Sequence, residues 1–283
     1  MNRRKFEETF FKLLMLACLG TVVGSLVAII AVIAWRGLPA LDLAMVTQTP
    51  KGGFYLGKEG GILNAIVGSV YLGVGATAVA FVISLPVALY LQREYTRRAW
   101  LTGFIRLLLD VLWGIPSIVY GAFGFVVMLY FGMRVSLLGG ILALALLEIP
   151  ILTRSMDEVI RTVSSDLRDA SYALGATRWE TAIKVVIRQT LPGILTAVLL
   201  AFGRGIGDAA SVLFTAGYTD RIPTSIFEPV ASLPLAIFFQ LGTPFPEVQD
   251  RAYASATILV ALMLLISLSS RLLLKRLTKY VAK

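Results

Sequence analysis

Residues 164–179 read SSDLRDASYALGATRW, a polar stretch between two long apolar segments of the chain. The Ser-Ser-Asp triplet at 164–166 is typical of a helix N-cap, and apolar residues then recur at helical spacing. Gly175 is suited to end one short helix before a second begins at Thr177. The spacing predicts a helix-turn-helix between two apolar segments, and the alternative is a basic loop that only sets membrane topology.

The composition around this stretch is that of a membrane protein. Of 283 residues, 57% are hydrophobic and only 15% are charged, and the mean hydropathy is +0.81. A soluble domain is roughly 45–50% apolar and about 25% charged, so a chain of this size could not bury its apolar excess in water. The composition therefore excludes a soluble enzyme, and it excludes a disordered chain because disorder requires low hydrophobicity.

Six apolar stretches are long enough to cross a bilayer as helices. They are 13–35, 62–92, 107–133, 135–153, 189–216 and 252–270. A seventh candidate, 229–246, contains four prolines and only a short apolar centre, so we interpret it as re-entrant or interfacial. The predicted fold class is an all-α membrane protein with six transmembrane helices.

The basic residues predict the orientation of these spans. The chain carries 26 Lys and Arg against 17 Asp and Glu, a net charge of +9. In a soluble protein this excess would suggest nucleic acid, but here most of the basic residues cluster in the regions 3–12, 93–106, 154–188 and 271–283. Because basic residues mark cytoplasmic loops, we predict a multi-pass membrane protein with both termini in the cytoplasm.

Several kinds of chemistry are excluded by residue type. The chain has no histidine and a single cysteine, Cys18, which excludes histidine-ligated metal sites, Ser-His-Asp triads and an internal disulfide. The glycine-rich stretch 52–58 has the spacing of a phosphate-binding P-loop, but Glu59 stands where Ser or Thr must bind magnesium. Residues 73–78 loosely match a dinucleotide-binding fingerprint, but they fall in mid-membrane, where small residues let helices approach. Any ATP must therefore be bound by another subunit.

The most informative charges are Arg204 and Asp208 in the fifth apolar stretch. Their spacing of four places them on one face of a continuous helix, among glycines at 203, 205 and 207. A buried charge at mid-membrane costs at least ~2.5–3.5 kcal/mol, so these side chains need partners or a polar cavity. One interpretation is a structural ion pair. The other is an anion site, because a guanidinium offers forked donors to an oxyanion while the carboxylate accepts from a protonated oxygen.

Two further spans contain helix breaks. Glu148-Ile149-Pro150 precedes Arg154 in the fourth span, and Trp113-Gly114-Ile115-Pro116-Ser117 interrupts the third. Such breaks are tolerated only where protein or water covers the freed backbone, which suggests a cavity between the two spans. We expect Asp110 and Glu148, near the cytoplasmic ends of their spans, to reach the interface or to pair with basic loop residues.

At these residues the sequence resembles a known family. The run from Asp169 to Trp179 (DASYALGATRW) resembles the EAA loop of ABC-importer permeases. Together with WGIPSIVYG at 113–121 and LPGILT at 191–196, it is similar to the PstA-type permeases of phosphate importers. Three departures stand out: Asp169 replaces the leading Glu, Ile187-Arg188 replaces a Leu-Pro pair, and Asp208 replaces a Glu, so both acidic positions keep an acid.

The resemblance implies a MetI-like ABC permease fold, with an N-terminal helix and extracytoplasmic loop at 1–61 and a permease core at 62–283. In the core, coupling helices at about 164–186 would contact an ATPase through Asp169, Ala170, Ser171, Gly175, Arg178 and Trp179. The substrate pathway would contain Arg204, Asp208, Arg154 and Ser117.

The partners implied are a second, PstC-like permease, two PstB-like ATPases and an extracytoplasmic PstS-like phosphate-binding protein, and nucleic acid is not expected. ATP and magnesium would bind the ATPases, so this chain would need no cofactor or metal and would not itself be an enzyme. The alternatives are a permease for another oxyanion, such as sulfate, molybdate or phosphonate, a secondary anion transporter, or a membrane enzyme. A secondary transporter should show two similar halves, and no convincing internal repeat is visible.

Overall fold

The computed structural model describes residues 3–51, 59–92, 94–96 and 98–277. The glycine-rich stretch 52–58 and the basic residues Arg93 and Arg97, all used in the sequence predictions, lie outside the described residues. The helices are α1 (Arg3–Gly37), α2 (Leu43–Thr47), α3 (Leu63–Tyr90), α4 (Ala99–Gly114), α5 (Ser117–Tyr130), α6 (Leu137–Arg161), α7 (Ser165–Ala173), α8 (Arg178–Thr181), α9 (Arg188–Ile206), α10 (Leu233–Leu241) and α11 (Pro246–Leu277). Strands β1 (Pro50–Lys51) and β2 (Glu59–Gly60) form a short antiparallel pair.

The long helices match the predicted spans. In the described part of the chain, α1, α3, α6, the run Arg178–Ile206 and α11 are each long and apolar enough to cross a membrane. Within that run, a π-helical turn at Ala182–Ile187 joins α8 to α9. Helices α4 and α5 form a sixth candidate, bent by 98°. The predicted all-α membrane fold is therefore confirmed.

Helix α6 lies at the centre of the bundle, where it packs against α3 and α9. Close packing is possible because α3 presents small residues to its neighbours. A Cβ atom at Gly75 would lie 2.6 Å from Ile141 of α6, and one at Gly73 would lie 2.9 Å from Phe202 of α9. The sequence prediction that residues 73–78 let helices approach is confirmed, since larger side chains would push these helices apart.

The third span is broken where the sequence predicted. The second predicted break, at Glu148-Ile149-Pro150 in the fourth span, is wrong, because α6 continues through Pro150 to Arg161. Helix α4 ends at Gly114 and α5 begins at Ser117, with Pro116 between them. Proline favours this break because its ring fixes φ and disfavours a helical conformation at the preceding residue. The sharp bend brings α5 against a non-helical segment that follows α9: a Cβ atom at Gly121 would lie 2.7 Å from the carbonyl oxygens of Ala210 and Ser211.

The fifth helix is shorter than predicted. The sequence predicted a span over 189–216, but α9 ends at Ile206, and residues 207–232 are turns and extended chain. This segment folds back over the start of α6, where Thr215 O and Glu228 O accept from the N–H groups of Ser136 and Leu137 at 2.9 and 2.8 Å. The non-helical backbone is thus covered by protein and bonded to a helix N-terminus, as a bilayer requires.

Two elements lie at the periphery. Helix α10 has nine residues, too few to span, which agrees with the interpretation of 229–246 as re-entrant or interfacial. Helix α1 packs against α11, where the Thr257 hydroxyl donates to Ile33 O at 3.2 Å, and the apolar centre of α1 is otherwise exposed for contact with lipid. We call the end of the bundle that holds α7, α8 and the end of α6 at Arg161 the basic side.

Candidate functional site

The segment between α6 and α9 forms the predicted helix-turn-helix. The Ser164 hydroxyl accepts from Leu167 N–H at the start of α7, and Thr177 and Glu180 form a reciprocal capping box at the start of α8. Between them, Gly175 has φ +82°, a left-handed conformation that favours glycine. The alternative of a basic loop that only sets membrane topology does not account for these two capped helices.

This helix-turn-helix exposes apolar side chains to solvent. Leu174 is 89% exposed and Trp179 is 65% exposed, and Asp169 and Ala170 of α7 are also exposed. We call these four residues the coupling surface. Ser171 instead faces inward, where its hydroxyl lies 2.9 Å from that of Thr181. An exposed apolar patch with an acidic neighbour is typical of a protein-binding surface.

Helices α7 and α8, which carry the coupling surface, are connected to α3 by contacts with the loop at 94–96. The Tyr95 hydroxyl donates to Arg178 O at 2.7 Å, and Arg178 in turn donates to Glu94 O at 2.7 Å. Arg168 of α7 forms an ion pair with the Glu94 carboxylate. Partial burial raises the pKa of the Tyr95 phenol above its ordinary value, which keeps it a donor. Nothing in the local sequence of 94–96 indicated these long-range contacts.

Arg204 lies in the last turn of α9, and its side chain faces away from the core of the helix bundle. It lines a groove of about 620 Å³ between α9 and α11, together with Arg271, with Thr196, Gly203, Ser267 and Ser270, and with six apolar side chains. Its side chain is exposed, and the described residues give it no hydrogen bond or ion pair. The guanidinium is therefore available to an anion that enters the groove.

Asp208 does not lie on the same helix face as Arg204, which corrects the sequence prediction. Since α9 ends at Ile206 and is capped by Gly207, Asp208 is already in the following turn. Its carboxylate accepts from Ser211 N–H at 2.8 Å and so starts the non-helical segment. The alternative of a self-contained Arg204–Asp208 ion pair is not formed in the described part of the chain. The cause is the early helix end, in a stretch with three glycines.

Arg154 lies nearer the basic side, in a network of acidic groups. Its Nε donates to Asp110 Oδ1 at 2.8 Å and its Nη1 to Asp157 Oδ2 at 3.2 Å. Asp157 is fully buried and also accepts from Arg106 Nε at 2.8 Å and from Gln92. The network joins α4 to α6, so Asp110 pairs with a basic residue as predicted. A role for Arg154 in substrate binding stays a prediction.

Ser117 is the first residue of α5, immediately after the break at Pro116. It is half-buried and lies one turn before Gly121, which packs on the backbone of Ala210 and Ser211. The fold thus brings the start of α5 towards the turn that Asp208 begins. Contact of Ser117 with a substrate stays a prediction.

Glu148 corrects a second prediction. It does not reach the interface or a basic partner: it is 0% exposed, and neither carboxylate oxygen has a hydrogen-bond partner among the protein groups described. The reason is position, because α6 continues thirteen residues beyond Glu148, about 20 Å of helix, before it ends at Arg161. The carboxylate lies against Gly205 of α9, with the Thr77 hydroxyl of α3 beside it.

Solved structures similar to this chain share its helical arrangement. An inward-facing structure of the MetNI methionine ABC transporter matches with a TM-score of 0.64 over 76% of this chain and 95% of its own, at 20% identity. A bacterial ABC transporter involved in the import of the acidic polysaccharide alginate matches with a TM-score of 0.59 over 97% and 99%, at 15% identity. At these identities the likeness shows the fold alone.

The fold is that of a multi-helix membrane protein, and the sequence comparisons give its family. Residues 80–283 match the family described as binding-protein-dependent transport system inner membrane component, and the chain belongs to that family, within its PstA-type permeases. The phosphate transport system permease protein PstA of Yersinia pestis is 34% identical over 84% of this chain and 80% of its own length.

Two further relatives extend the comparison over nearly the whole chain. PstA 2 of Mycobacterium bovis is 29% identical over 96% of this chain and 89% of its own length. The probable ABC transporter permease YqgI of Bacillus subtilis is 31% identical over 90% of each. The predicted family is therefore confirmed.

Proposed function

We propose that this chain is the membrane permease subunit of an ATP-driven importer of inorganic phosphate and forms half of its translocation pathway. The observation that carries the proposal is Arg204, an unpaired guanidinium in the groove between α9 and α11. The names of the relatives support phosphate as the substrate, since the Yersinia and Mycobacterium proteins are phosphate transport system permeases.

Arg204 has the chemistry that a travelling oxyanion needs. Its planar guanidinium offers forked donors that match two oxygens of a tetrahedral anion. Its position in the last turn of α9 also lets it offset the partial negative charge of that helix end. Arg271 lines the same groove as a second cation, and binding must still be weak enough for the anion to leave. Asp208 begins the next turn, where one of its carboxylate oxygens accepts from Ser211 N–H, and we propose that the other accepts from a protonated phosphate oxygen.

The coupling surface is the proposed contact with the ATPase. We infer that Asp169, Ala170, Leu174 and Trp179 dock into an ATPase subunit, and that the loop at 94–96 passes its movement to α3. The full assembly would hold a second permease, two ATPases and an external phosphate-binding protein. ATP and magnesium would bind the ATPases, so this chain would break no bond and would rock between outward and inward openings.

The charge distribution supports one orientation. The basic side, with α7 and α8, would face the cytoplasm where ATP is available, and both termini would lie there. The protein would be a multi-pass component of the plasma membrane of a bacterium or an archaeon. In this orientation Arg204 lies beyond the middle of α9, towards the external face.

Reconstitution tests the proposal and its substrate. The chain would be co-expressed with a second permease and an ATPase, purified and placed in liposomes with the external binding protein. We expect phosphate to stimulate ATP hydrolysis and to accumulate inside, while sulfate and molybdate do neither. Accumulation of sulfate or molybdate instead would assign another oxyanion, and absence of an ATPase from the purified assembly would refute the class of transporter.

A further inference from the structure

The proposed transport cycle gives no role to Glu148, although it is a fully buried acid in the centre of the bundle. Its two oxygens and the adjacent Thr77 Oγ1 all lack hydrogen-bond partners within the described ranges. Buried polar groups without partners are rare in native proteins, and each needs an explanation. A carboxylate in this position would be ionised without any compensating charge, which a bilayer interior strongly disfavours.

The helices around Glu148 supply no cation in contact with it. The titratable or charged groups on these elements are Tyr71 and Tyr90 on α3, Arg106 and Asp110 on α4, Tyr120 and Tyr130 on α5, Arg154, Asp157, Glu158 and Arg161 on α6, Arg188 and Arg204 on α9, and Asp208 after it. The basic group nearest on α6, Arg154, is six residues away and already pairs with Asp110 and Asp157. The group that fits this surrounding is the neutral carboxylic acid.

Arg204 is nevertheless within reach of Glu148. The carboxylate packs so closely on Gly205 that a Cβ atom there would overlap Glu148 Oε1, so only backbone separates the two. Arg204 directly precedes Gly205, and neighbouring Cα atoms are about 3.8 Å apart, so Glu148 Oε1 lies within roughly 8 Å of the Arg204 Cα atom. An arginine side chain spans that distance once the contact between α6 and α9 opens.

We propose that Glu148 is a proton-binding site. During the transport cycle it releases its proton and forms an ion pair with Arg204 instead. While α6 and α9 are packed together, Glu148 keeps its O–H bond. When α9 moves away, that bond breaks, the proton passes to water in the groove beside Arg204, and the carboxylate pairs with the guanidinium. On closure the pair separates and Glu148 takes a proton from water again. No net proton is consumed in a full cycle.

This exchange explains how Arg204 releases its cargo, and in that respect it rests on the proposed function. A free guanidinium holds an oxyanion, whereas one paired with Glu148 does not, because the two anions compete for the same donors. A Cβ atom at position 205 would overlap Glu148 Oε1, so a side chain there would displace the carboxyl group from its place beside Arg204. Glu148 would thus act on the substrate through Arg204, as a positioning residue.

Infrared difference spectroscopy on the purified complex tests the proton exchange directly. Spectra would be compared between the resting complex, in which α6 and α9 are packed together, and one held by a non-hydrolysable ATP analogue in the state in which α9 has moved away from α6. We expect the carbonyl stretch of a protonated carboxylic acid at rest, its loss in the nucleotide-bound state, and its absence from Glu148→Gln in both. In Arg204→Gln the band should persist in both states, because no cation replaces the proton. Asp110→Asn, which removes a half-exposed acid, should leave the band unchanged.

Uptake of inorganic phosphate separates this inference from the proposed function. We expect Glu148→Gln to reduce uptake roughly tenfold while the complex stays assembled, because the amide matches the acid in shape but cannot ionise. A Glu148 band unchanged between the two states, or normal uptake by Glu148→Gln, would overturn the inference. If Arg204→Gln still abolished uptake, the proposed function would stand alone. If neither substitution affected uptake, both would fail.

Discussion

The hydroxyl of Tyr95 donates a 2.7 Å hydrogen bond to the main-chain carbonyl of Arg178, which joins the end of α3 to the start of α8. Arg178 returns a hydrogen bond to Glu94 O, and the Glu94 carboxylate pairs with Arg168 of α7. Glu94 and Tyr95, both in one loop, thus contact both α7 and α8. A displacement of α7 and α8 must therefore move the end of α3, which packs along α6 at the centre of the bundle.

Breaking the link between α7 and the 94–96 loop should uncouple transport from ATP hydrolysis. In Arg168→Gln the Glu94 carboxylate loses its ion pair, and Ile160 O loses a 2.9 Å hydrogen bond. We expect about 0.5–2 kcal/mol of lost coupling, or roughly two- to thirtyfold less phosphate moved per ATP hydrolysed. Lys184→Gln is the control, because it breaks only an exposed pair with Glu180. Equal ratios of phosphate moved to ATP hydrolysed in both variants would refute a role of the Arg168–Glu94 ion pair in coupling.

Gly175 should be replaceable only by residues that tolerate a left-handed backbone. At φ +82° alanine is strained by about 1–2 kcal/mol, although nothing lies within 4 Å of its Cβ atom. We expect Gly175→Ala to weaken co-purification of the ATPase, and Gly175→Asn to retain more of it because Asn enters this region more readily. A bulky residue that leaves both binding and coupling normal would show that the turn is not needed.

The close approach of α5 to the segment after α9 should make Gly121 intolerant of any side chain. A Cβ atom there would lie 2.7 Å from two main-chain carbonyl oxygens, which cannot move without displacing the buried segment. We expect Gly121→Ala to destabilise the protein by about 1–3 kcal/mol. Gly103→Ala in α4, where nothing lies within 4 Å, should be neutral or stabilising by up to about 1 kcal/mol. Thermal unfolding in detergent measures both, and equal midpoints would contradict the packing described.

Asp157, the buried acid at the basic side, should contribute more to the stability of the protein than its exposed neighbour Glu158. Asp157 is 0% exposed and accepts from Arg106, Arg154 and Gln92, so Asp157→Asn leaves Arg106 without its charge partner and removes one of the three acids that Arg154 contacts. We expect a loss of about 3–5 kcal/mol. Glu158→Gln removes only a 3.6 Å contact to Arg154 from a largely exposed side chain and should change stability by less than about 0.5 kcal/mol. Urea or thermal unfolding of the two variants gives the comparison, and similar losses would show that the network is not structural.

Much of this architecture could be predicted from the sequence because the signals are local. Twenty apolar residues need a helix in lipid, Pro116 breaks one, and Ser164, Gly175 and Thr177 set the bounds of α7 and α8. The end of α9 was missed because residues 207–216 are apolar enough to continue a span. The non-helical conformation after Ile206 is instead stabilised by contacts with other parts of the chain, such as Thr215 O accepting from Ser136 N–H.

The candidate site could be predicted in part. Arg204 was identifiable because a charge within an apolar stretch needs a reason to be there. The surroundings of Glu148 were not identifiable, because its depth depends on how far α6 continues and on the glycine that faces it from α9. The contacts of Glu94 and Tyr95 join residues more than seventy positions apart, which no local pattern indicates.

The most direct test of the account is phosphate uptake by the assembled transporter with Arg204→Gln. The matched control is Arg188→Gln, which removes an exposed cation from the other end of the same helix. We predict that Arg204→Gln abolishes uptake while the complex still contains its ATPase and still hydrolyses ATP, and that Arg188→Gln transports normally. Undiminished uptake by Arg204→Gln would contradict the claim that this guanidinium holds the anion in transit.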